Sequence, residues 1–518
     1  MSATIETTGG RLRGRDEGGL LSFKGIPYAA PPVPPLRFMA PRPPAPWAGT
    51  LDAVTFGSQA SQLLFAFLDP ALANDPAQAA NRDFHRGVQE QPISYGEDCL
   101  VLNVWTQATT GKRPVMVWLH GGGFASGSGS WGWWTGEDLA RNQDVVVVTL
   151  NHRLNIFGFL QLDAFGGATQ GYAANAGMLD IIMALEWVRD NIGSFGGDAG
   201  NVTIFGQSGG GAKVSALMAM PAARGLFHKA IAQSGSYPRA VPPERAAAVA
   251  GRMLATFGVA ADRLAGLQDI SEADLLAGFA AVNEGGAGVP RQFAPMRDGA
   301  SLPADPFEPA APATAAGVKL LIGATSEEIT SLQGFRDPSI FTLGEPDLVP
   351  RVAGFCGIDG ATAAALVAIY RAGRPGATPA RLYANIASDR QFGHGGVVQA
   401  ERQAVQAEVF AYRLTWQSPV QGGRMGAPHN LCLPLVFGRD RAPGVTGEGT
   451  AHHALAAAMQ TAWASFARSG NPSHAGLPSW PAYDVTRRAT MVLDRECGVV
   501  FDPRPEERVA QAGLAPRA

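Results

Sequence analysis

A serine flanked by glycines is the residue best suited to act as a nucleophile in this chain. Ser208 lies at the centre of GQSGG (206–210), within the segment NVTIFGQSGGGAKVSALMAM, whose pattern predicts a strand, a tight turn and a helix. Such a turn exposes the serine hydroxyl and directs the N–H groups of the helix at developing negative charge. The motif is short, and in a chain with 64 glycines the alternative is a glycine-rich turn with an inert hydroxyl. The strand–turn–helix context favours the nucleophile.

A second glycine run could stabilise the anion that such a nucleophile creates. The segment VMVWLHGGGFASGSGS places His120 and three glycines directly after a predicted strand. Attack on an acyl carbonyl produces an oxyanion, which is stabilised by two or three fixed N–H donors that converge on one point. We expect these donors to be the N–H groups of Gly122, Gly123 and Gly209. A phosphate-binding glycine loop is the alternative, but the Lys-Ser/Thr pair of a P-loop does not follow this run.

Short apolar runs predict the framework that would position these residues. Each run has four to six residues rich in β-branched types, which suits buried parallel strands. The runs are 115–119, 145–150, 202–205, 230–233, 319–323 and 409–414. Segments 177–192 and 450–468 have helical spacing, and Gly470 is expected to end the second of them. The alternation of strands and helices predicts an α/β fold with a doubly wound, mostly parallel sheet.

The whole chain, residues 1–518, is expected to form one domain with excursions from that sheet. A long, mobile loop is predicted for residues 57–95, which include the apolar segment LLFAFL. Residues 244–285 and 345–407 are rich in alanine and have helical spacing, which predicts cap-like helical insertions above the sheet.

The composition limits the class of protein. An apolar content of 46% with 16% charged residues indicates a globular rather than a disordered chain. The net charge is −3 and like charges are not clustered, so neither nucleic acid nor a membrane surface is an expected partner. No run of about 18 apolar residues predicts a membrane span, and no apolar secretory segment opens the sequence, so a cytoplasmic enzyme is expected. The four cysteines lack C-x-x-C spacing, which argues against a metal knuckle.

Longer motifs resemble one known family over nearly the entire chain. Residues 195–210 are similar to the serine signature of the type-B carboxylesterases, a family that includes cholinesterases and bacterial p-nitrobenzyl esterases. The segment EDCLVLNV at 97–104 resembles the second signature of that family. The resemblance implies the α/β-hydrolase fold and a serine esterase. Gln207 and Gly209 depart from the pattern, because the family usually has Glu and Ala there.

The resemblance also assigns structural roles to two ion pairs and to one cysteine. Arg37 with Glu97, and Arg153 with Asp180, match pairs that form framework salt bridges in the family. Cys99 matches a cysteine that many secreted members join to an upstream partner. No cysteine precedes it here, which supports an intracellular member.

A base and an acid, both of which a serine nucleophile needs, are implied by the same resemblance. His429, in the segment GAPHNL, matches the catalytic histidine loop of the family, and Glu328, in GATSEEITSL, matches its acidic residue. Glu327 is the alternative acid, and Asp298 is a third candidate. Ser234 resembles a serine that lies near the acid.

Together these residues predict a serine carboxylesterase that acts through an acyl-enzyme, without a metal or an organic cofactor. Phe124, Trp131, Trp133 and Trp134 predict an apolar pocket for short- to medium-chain or aryl esters; the alternative is that the tryptophans only pack their loop. The expected partner is a small-molecule ester, and the chain is expected to be a monomer or a homodimer. Hydrolysis of amide, thioester or carbamate bonds stays open, because the same triad serves all of them. A non-catalytic adhesion protein of the same fold is the remaining alternative.

Overall fold

The central element is a sheet of 13 strands, seen in a computed structural model that describes residues 2–89, 94–283, 292–438 and 440–515. A separate two-stranded sheet is formed by β5 and β6. The strands, in chain order, are β1 (Ser2–Thr7), β2 (Gly10–Asp16), β3 (Leu21–Pro27), β4 (Thr50–Asp52), β5 (Gln59–Ala60), β6 (Tyr95–Gly96), β7 (Val101–Thr106), β8 (Arg113–Leu119), β9 (Val146–Leu150), β10 (Gly197–Gln207), β11 (Lys229–Gln233), β12 (Lys319–Thr325), β13 (Val409–Leu414), β14 (Ala489–Leu493) and β15 (Gly498–Phe501).

Seven strands form a continuous parallel block in the middle of the large sheet. Their spatial order is β9, β8, β10, β11, β12, β13 and β14, and each neighbouring pair is parallel. Antiparallel strands border the block, with β7, β3, β2 and β1 beyond β9, and β15 beyond β14. The prediction of a mostly parallel sheet is confirmed.

All six predicted runs are strands of the parallel block, because these strands are buried on both faces. In β8, Val115 and Val117 belong to one core cluster while Met116 and Trp118 belong to a second. Such a strand is apolar at every position, so it is recognised as a continuous apolar run.

The antiparallel strands at the edges were not predicted. In β2 the buried Leu12 lies between the exposed Arg11 and Arg13, so this strand has no continuous apolar run. A strand with one solvated face alternates in polarity and gives a weaker signal in a short sequence window.

Helices cover the sheet and form the insertions. The predicted helix 177–192 is observed as α4, and the predicted helix 450–468 as α15, which ends at Gly470 in the left-handed conformation with φ 76°. The helices are α1 (Ala79–Phe84), α2 (Glu137–Gln143), α3 (Asn155–Phe159), α4 (Ala176–Asn191), α5 (Gly209–Ala219), α6 (Pro243–Phe257), α7 (Glu272–Asn283), α8 (Ile329–Gln333), α9 (Glu345–Cys356), α10 (Gly360–Ala372), α11 (Pro379–Ser388), α12 (His394–Gln403), α13 (Cys432–Phe437), α14 (Pro443–Thr446), α15 (His453–Ser469) and α16 (Pro505–Ala512).

The three predicted excursions differ in how much structure they contain. Segment 57–95 is not a plain loop, because it contains β5, α1, β6 and two short 3-10 turns; its residues 90–93 lie outside the described part. Segment 244–285 contains α6 and α7, with residues 284 and 285 outside the described part. Segment 345–407 contains α9 to α12, and α9 to α11 share a third core cluster. The mobility of 57–95 stays a prediction.

Among the described residues, no single helix has both the length and the apolar character of a membrane span. Helices α9 and α10 reach that length and apolar character only when they are counted as one segment, and that segment is bent by 110° between them.

Two buried ion pairs connect distant parts of the chain, as the resemblance implied. Arg37 pairs with Glu97 through two hydrogen bonds of 2.6 and 2.5 Å. Arg153 pairs with Asp180 through bonds of 2.9 and 2.6 Å. Because all four side chains are at most 8% exposed, loss of one partner would leave a buried charge uncompensated.

Candidate active site

Ser208 occupies the tight turn between β10 and α5. Its backbone is strained, with φ 60° and ψ −125°, a conformation that costs about 1–3 kcal/mol for a residue with a side chain. The glycines around it are required by close approach of the backbone. A Cβ on Gly206 would lie 2.5 Å from the carbonyl carbon of Gly210, and a Cβ on Gly210 would lie 1.9 Å from the carbonyl oxygen of Leu119. The turn is therefore built to present the Ser208 side chain.

The glycine run that carries two of the three predicted N–H donors packs beside this turn, which carries the third. Gly122 and Gly123 have φ values of 87° and 64°, which favour glycine. A Cβ on Gly209 would lie 2.5 Å from the backbone nitrogen of Gly123, and a Cβ on Gly121 would lie 3.4 Å from Cβ of Ser208. The glycine run thus lies against the first turn of α5, directly next to the serine.

Carbonyl groups of the glycine run are held in ways that orient its N–H groups. In a trans peptide the C=O of one residue and the N–H of the next point in opposite directions. Nδ1 of His120 donates to the carbonyl of Gly121 at 2.8 Å, which fixes the direction of the Gly122 N–H. The Gly122 carbonyl accepts from the N–H groups of Ala125 and Ser126 at 3.3 and 3.2 Å, which fixes the Gly123 N–H. Such pre-oriented donors are what an oxyanion hole requires.

His429 and Glu328 form a buried pair. Nδ1 of His429 bonds to Oε2 of Glu328, and the two side chains are 3% and 0% exposed. The second carboxylate oxygen, Oε1, accepts the N–H of Thr325 at 2.7 Å. Since a carboxylate only accepts, Nδ1 carries the proton and Nε2 has a free lone pair that can take one.

Contact between the histidine loop and the serine turn is made by Gln207. Its Nε2 donates to the backbone carbonyl of His429 at 2.8 Å. Nε2 of His429 is buried and has no hydrogen-bond partner among the described residues, so no bond to the Ser208 hydroxyl is formed in this state. Bonds between a nucleophile and its base are often long before substrate binds. The arrangement leaves this ring nitrogen available for the serine proton.

Glu327, the alternative acid, has a different partner set. Its carboxylate accepts the N–H of Ala427 at 2.9 Å and the side-chain amide of Asn385 at 2.9 Å, and it lies 3.4 Å from Arg381. Burial raises its pKa, but Arg381 and the hydrogen bonds outweigh burial and hold the pKa below its usual range. Glu327 therefore anchors the histidine loop, whereas the bond to the imidazole belongs to Glu328.

Asp298, the third candidate for the acid, caps a separate turn. It accepts the N–H groups of Ala300 and Leu302 at 3.0 and 2.9 Å and bonds to Asn175. The structure does not bring it to His429.

Cys432 lies near the acid without bonding to it, and Ser234 bonds to the strand that precedes the acid. The N–H of Ser234 donates to the carbonyl of Gly323 on β12 at 2.8 Å, and its hydroxyl is buried with no partner among the described residues. Burial, and the carboxylate of Glu328 nearby, raise the pKa of the Cys432 thiol to about 12. The thiol therefore stays protonated and is not a competing nucleophile.

The aromatic residues predicted to line a pocket are mostly core residues. Trp131, Trp133 and Trp134 are 4%, 1% and 4% exposed, and each indole N–H donates a hydrogen bond of 2.7–3.0 Å within the protein. They pack the loop into the second core cluster, which does not support a pocket lined by Trp133 and Trp134. Trp131 also contacts Phe65 of the LLFAFL patch, with ring centroids 6.1 Å apart. Phe124, next to the oxyanion donors, is 5% exposed, and its place in a pocket stays a prediction.

Three residues near the imidazole were missed by the sequence reasoning. Gln207 was recognised only as a departure from the family pattern, although it joins the serine turn to the histidine loop. The hydroxyl of Ser331 accepts the N–H of His429 at 3.2 Å, and the ring of Phe392 lies 4.6 Å from the imidazole. Phe392 lies in a five-residue π-helical turn, 389–393, for which the sequence gives no periodic signal.

Among the described residues, one cluster of side chains could hold a metal ion, and this cluster lies outside the candidate active site. Asp440, His452 and His453, at the start of α15, bring their ligand atoms to within 4.8 Å of one another. The group includes none of the predicted catalytic residues.

Comparison with known proteins places the chain among enzymes of similar length. A family model described as the carboxylesterase family matches residues 1–507. A para-nitrobenzyl esterase of Bacillus subtilis (strain 168) is 37% identical, with 97% of each chain covered. A solved PNB esterase is 34% identical with a TM-score of 0.82, covering 100% of both chains. A solved carboxylesterase of Geobacillus stearothermophilus is 37% identical with a TM-score of 0.82, covering 98% of this chain and 99% of that one.

These likenesses confirm the α/β-hydrolase fold and extend over the parts of the chain that hold the serine, the glycine run, the acid and the histidine. The chain belongs to the carboxylesterase family.

Proposed function

We propose that this protein hydrolyses carboxylic esters through an acyl-enzyme on Ser208, with His429 as the base and Glu328 as the acid. The observation that carries the proposal is the buried Glu328–His429 pair, together with the hydrogen bond by which Gln207, the residue before Ser208, holds the backbone carbonyl of His429.

In the first half of the reaction, Oγ of Ser208 attacks the ester carbonyl carbon. Nε2 of His429 takes the hydroxyl proton, and the carbonyl π electrons move onto oxygen. The N–H groups of Gly122, Gly123 and Gly209 stabilise that oxyanion. Collapse breaks the bond to the alcohol oxygen, which leaves with the proton from His429.

In the second half, water attacks the acyl-enzyme by the same route. His429 takes a proton from water, the oxyanion forms again, and collapse returns the proton to Oγ of Ser208 while the carboxylic acid leaves. Glu328 keeps the proton on Nδ1 throughout and stabilises the imidazolium that forms in each half.

We propose short- to medium-chain or aryl esters as the substrate class. The LLFAFL patch supports this, because Leu63 and Leu64 are each 39% exposed while Phe65 contacts the loop that follows the glycine run. Exposed apolar side chains of this kind suit an apolar substrate. The relative named para-nitrobenzyl esterase supports an aromatic group on the alcohol side.

The test is turnover of a series of p-nitrophenyl acyl esters, from acetate to octanoate, beside the matching p-nitroanilides. We expect ester hydrolysis with the highest kcat/KM at short to medium chain length, and its loss in Ser208→Ala. Faster cleavage of the anilides would assign the enzyme to amides instead. No turnover of either series by a folded wild-type protein would contradict a hydrolase.

A further inference from the structure

Lys213 is a buried cation directly behind the oxyanion loop. It lies on α5, five residues after Ser208, and is 0% exposed. Its Nζ donates to the backbone carbonyl of His120 at 2.9 Å and lies 5.5 Å from the centre of the Phe124 ring. Within the described residues, Lys213 makes no ion pair with a carboxylate; His120 is its one hydrogen-bond partner.

The titratable groups that face this ammonium are two histidines, and neither supplies negative charge. The rings of His120 and His152 are stacked, with centroids 5.0 Å apart. Their Nδ1 atoms donate to the backbone carbonyls of Gly121 and Arg153. Burial, and then the charge of Lys213, lower the pKa of both rings well below the usual range. Both imidazoles are therefore neutral, so neither compensates a positive charge on Lys213.

An uncompensated buried charge is costly, so a lysine here needs an explanation other than stability. Burial lowers the pKa of Lys213 to about 7, because a buried site disfavours the charged form. An apolar side chain of similar length would fill the same space without that cost. The glycine run beside it is where negative charge develops during the proposed reaction.

We propose that Lys213 is a positioning residue for the oxyanion hole, which holds the His120 carbonyl and places a positive charge behind the developing oxyanion. This rests on the proposed function, since it assumes that the oxyanion forms beside Gly122 and Gly123. The ammonium holds the carbonyl of His120, and the ring of His120 holds the carbonyl of Gly121. Two successive peptides of the oxyanion loop are therefore fixed in direction. The charge acts most strongly in the tetrahedral state, because only that state carries a full negative charge on the substrate oxygen.

The test compares Lys213→Met with a matched control, Lys229→Met. Lys229 is also largely buried and has a lowered pKa, but it lies on β11 and bonds to Asn201, away from the glycine run. Below pH 7, where Lys213 carries its charge, we expect Lys213→Met to lower kcat by about tenfold or more with KM within about twofold, because the interaction is made mainly in the transition state. The control should keep the wild-type kcat.

A trifluoromethyl ketone analogue of the best ester gives a second readout, since its adduct with Ser208 carries the oxyanion. Lys213→Met should raise the Ki of the ketone by the same factor by which it lowers kcat. Lys213→Gln keeps a donor for the His120 carbonyl but not the charge, so its kcat should lie between those of Lys213→Met and the wild type.

Stability separates this role from a structural one. The unfolded lysine has a pKa near 10.5 and the native one about 7, so the charge costs stability fully below pH 7 and progressively less up to pH 10.5. Lys213→Met should therefore raise the Tm at pH 6, with the gain fading as the pH rises. Unchanged kcat and Ki in both variants, a Ki that moves only in step with KM, or failure of both variants to fold would each overturn the proposal. A wild-type enzyme that does not react with a fluorophosphonate at Ser208 would instead refute the proposed function.

Discussion

At the scale of single residues, adjacent side chains in this site have different tasks. Glu327 and Glu328 are neighbours in sequence, yet one anchors the backbone of the histidine loop and the other binds the imidazole. The resemblance to the family selected Glu328, whereas residue type and spacing alone left both open. The turn that begins α8 separates the two carboxylates, because successive side chains there point about 100° apart.

Replacement of each glutamate by glutamine should separate the two tasks. Glu328→Gln should lower kcat by about 10³–10⁴, since the imidazole loses the partner that fixes its tautomer. Glu327→Gln keeps the imidazole partner, so we expect less than a tenfold loss of kcat, about the scale of an indirect effect. Steady-state kinetics on one p-nitrophenyl ester measures both. A larger loss for Glu327→Gln would reverse the assignment of the acid.

A glycine in the oxyanion loop should be irreplaceable for catalysis. In Gly122→Ala the new Cβ would lie 2.3 Å from the Ser126 carbonyl oxygen, at a φ of 87° that disfavours a side chain. We expect kcat to fall by about 10²–10³, as when an oxyanion donor is removed. Gly18→Ala is the control, because Gly18 also has a positive φ of 71° but has open space around its Cβ position. An equal loss of kcat in both variants would show that backbone strain alone causes the effect.

At the scale of elements, the site is assembled from the carboxyl ends of neighbouring parallel strands. Ser208 follows β10, Glu328 follows β12, and His429 lies in the loop that follows β13. These strands are adjacent apart from β11, which lies between β10 and β12. Loops at the carboxyl ends of parallel strands meet at one edge of a sheet, which is where such folds bind ligands.

The elements that were predictable are those whose burial leaves a continuous apolar pattern. Six of the seven parallel strands and the helices α4 and α15 were predicted from such patterns to within a few residues, apart from β10, which extends well beyond its apolar run; the seventh parallel strand, β14, was missed. The antiparallel edge strands and the helical turns inside 57–95 were not predicted, because their stability comes from tertiary contacts. For instance, Phe84 of α1 is fully buried although its helix has only six residues. The tether from Gln207 to His429 joins segments 222 residues apart, which no local pattern indicates.

The anchor of the histidine loop should respond to acid. Because the native pKa of Glu327 is held below the ordinary value of 4.5, its stabilising effect is present above pH 4.5 and is lost as the pH falls through the native pKa. Glu327→Gln should therefore have a lower Tm than the wild type at pH 7, and the two curves should converge as the pH falls below 4.5 and through the native pKa. Thermal melts from pH 3 to 8 measure this. A Tm difference that stays constant over that range would contradict an ionised anchor.

At the scale of the whole molecule, one large sheet with a core on each face holds the side chains of the proposed catalytic site in place. The two main core clusters lie on opposite faces of β8, and the oxyanion loop follows that strand directly. Close packing on both faces resists small shifts, so a strained residue such as Ser208 keeps its conformation. The proposed substrate class rests instead on the less regular segment 57–95, for which the sequence shows no periodic pattern.

The account depends on Ser208 being the group that becomes acylated. The most direct measurement is peptide mass spectrometry of the protein after reaction with a fluorophosphonate. We predict one adduct on the peptide that contains Ser208, formed rapidly by the wild type and at least about a hundredfold more slowly by His429→Ala, since the hydroxyl then lacks its base. An adduct on a different residue, or equal labelling rates in the two proteins, would contradict the central claim.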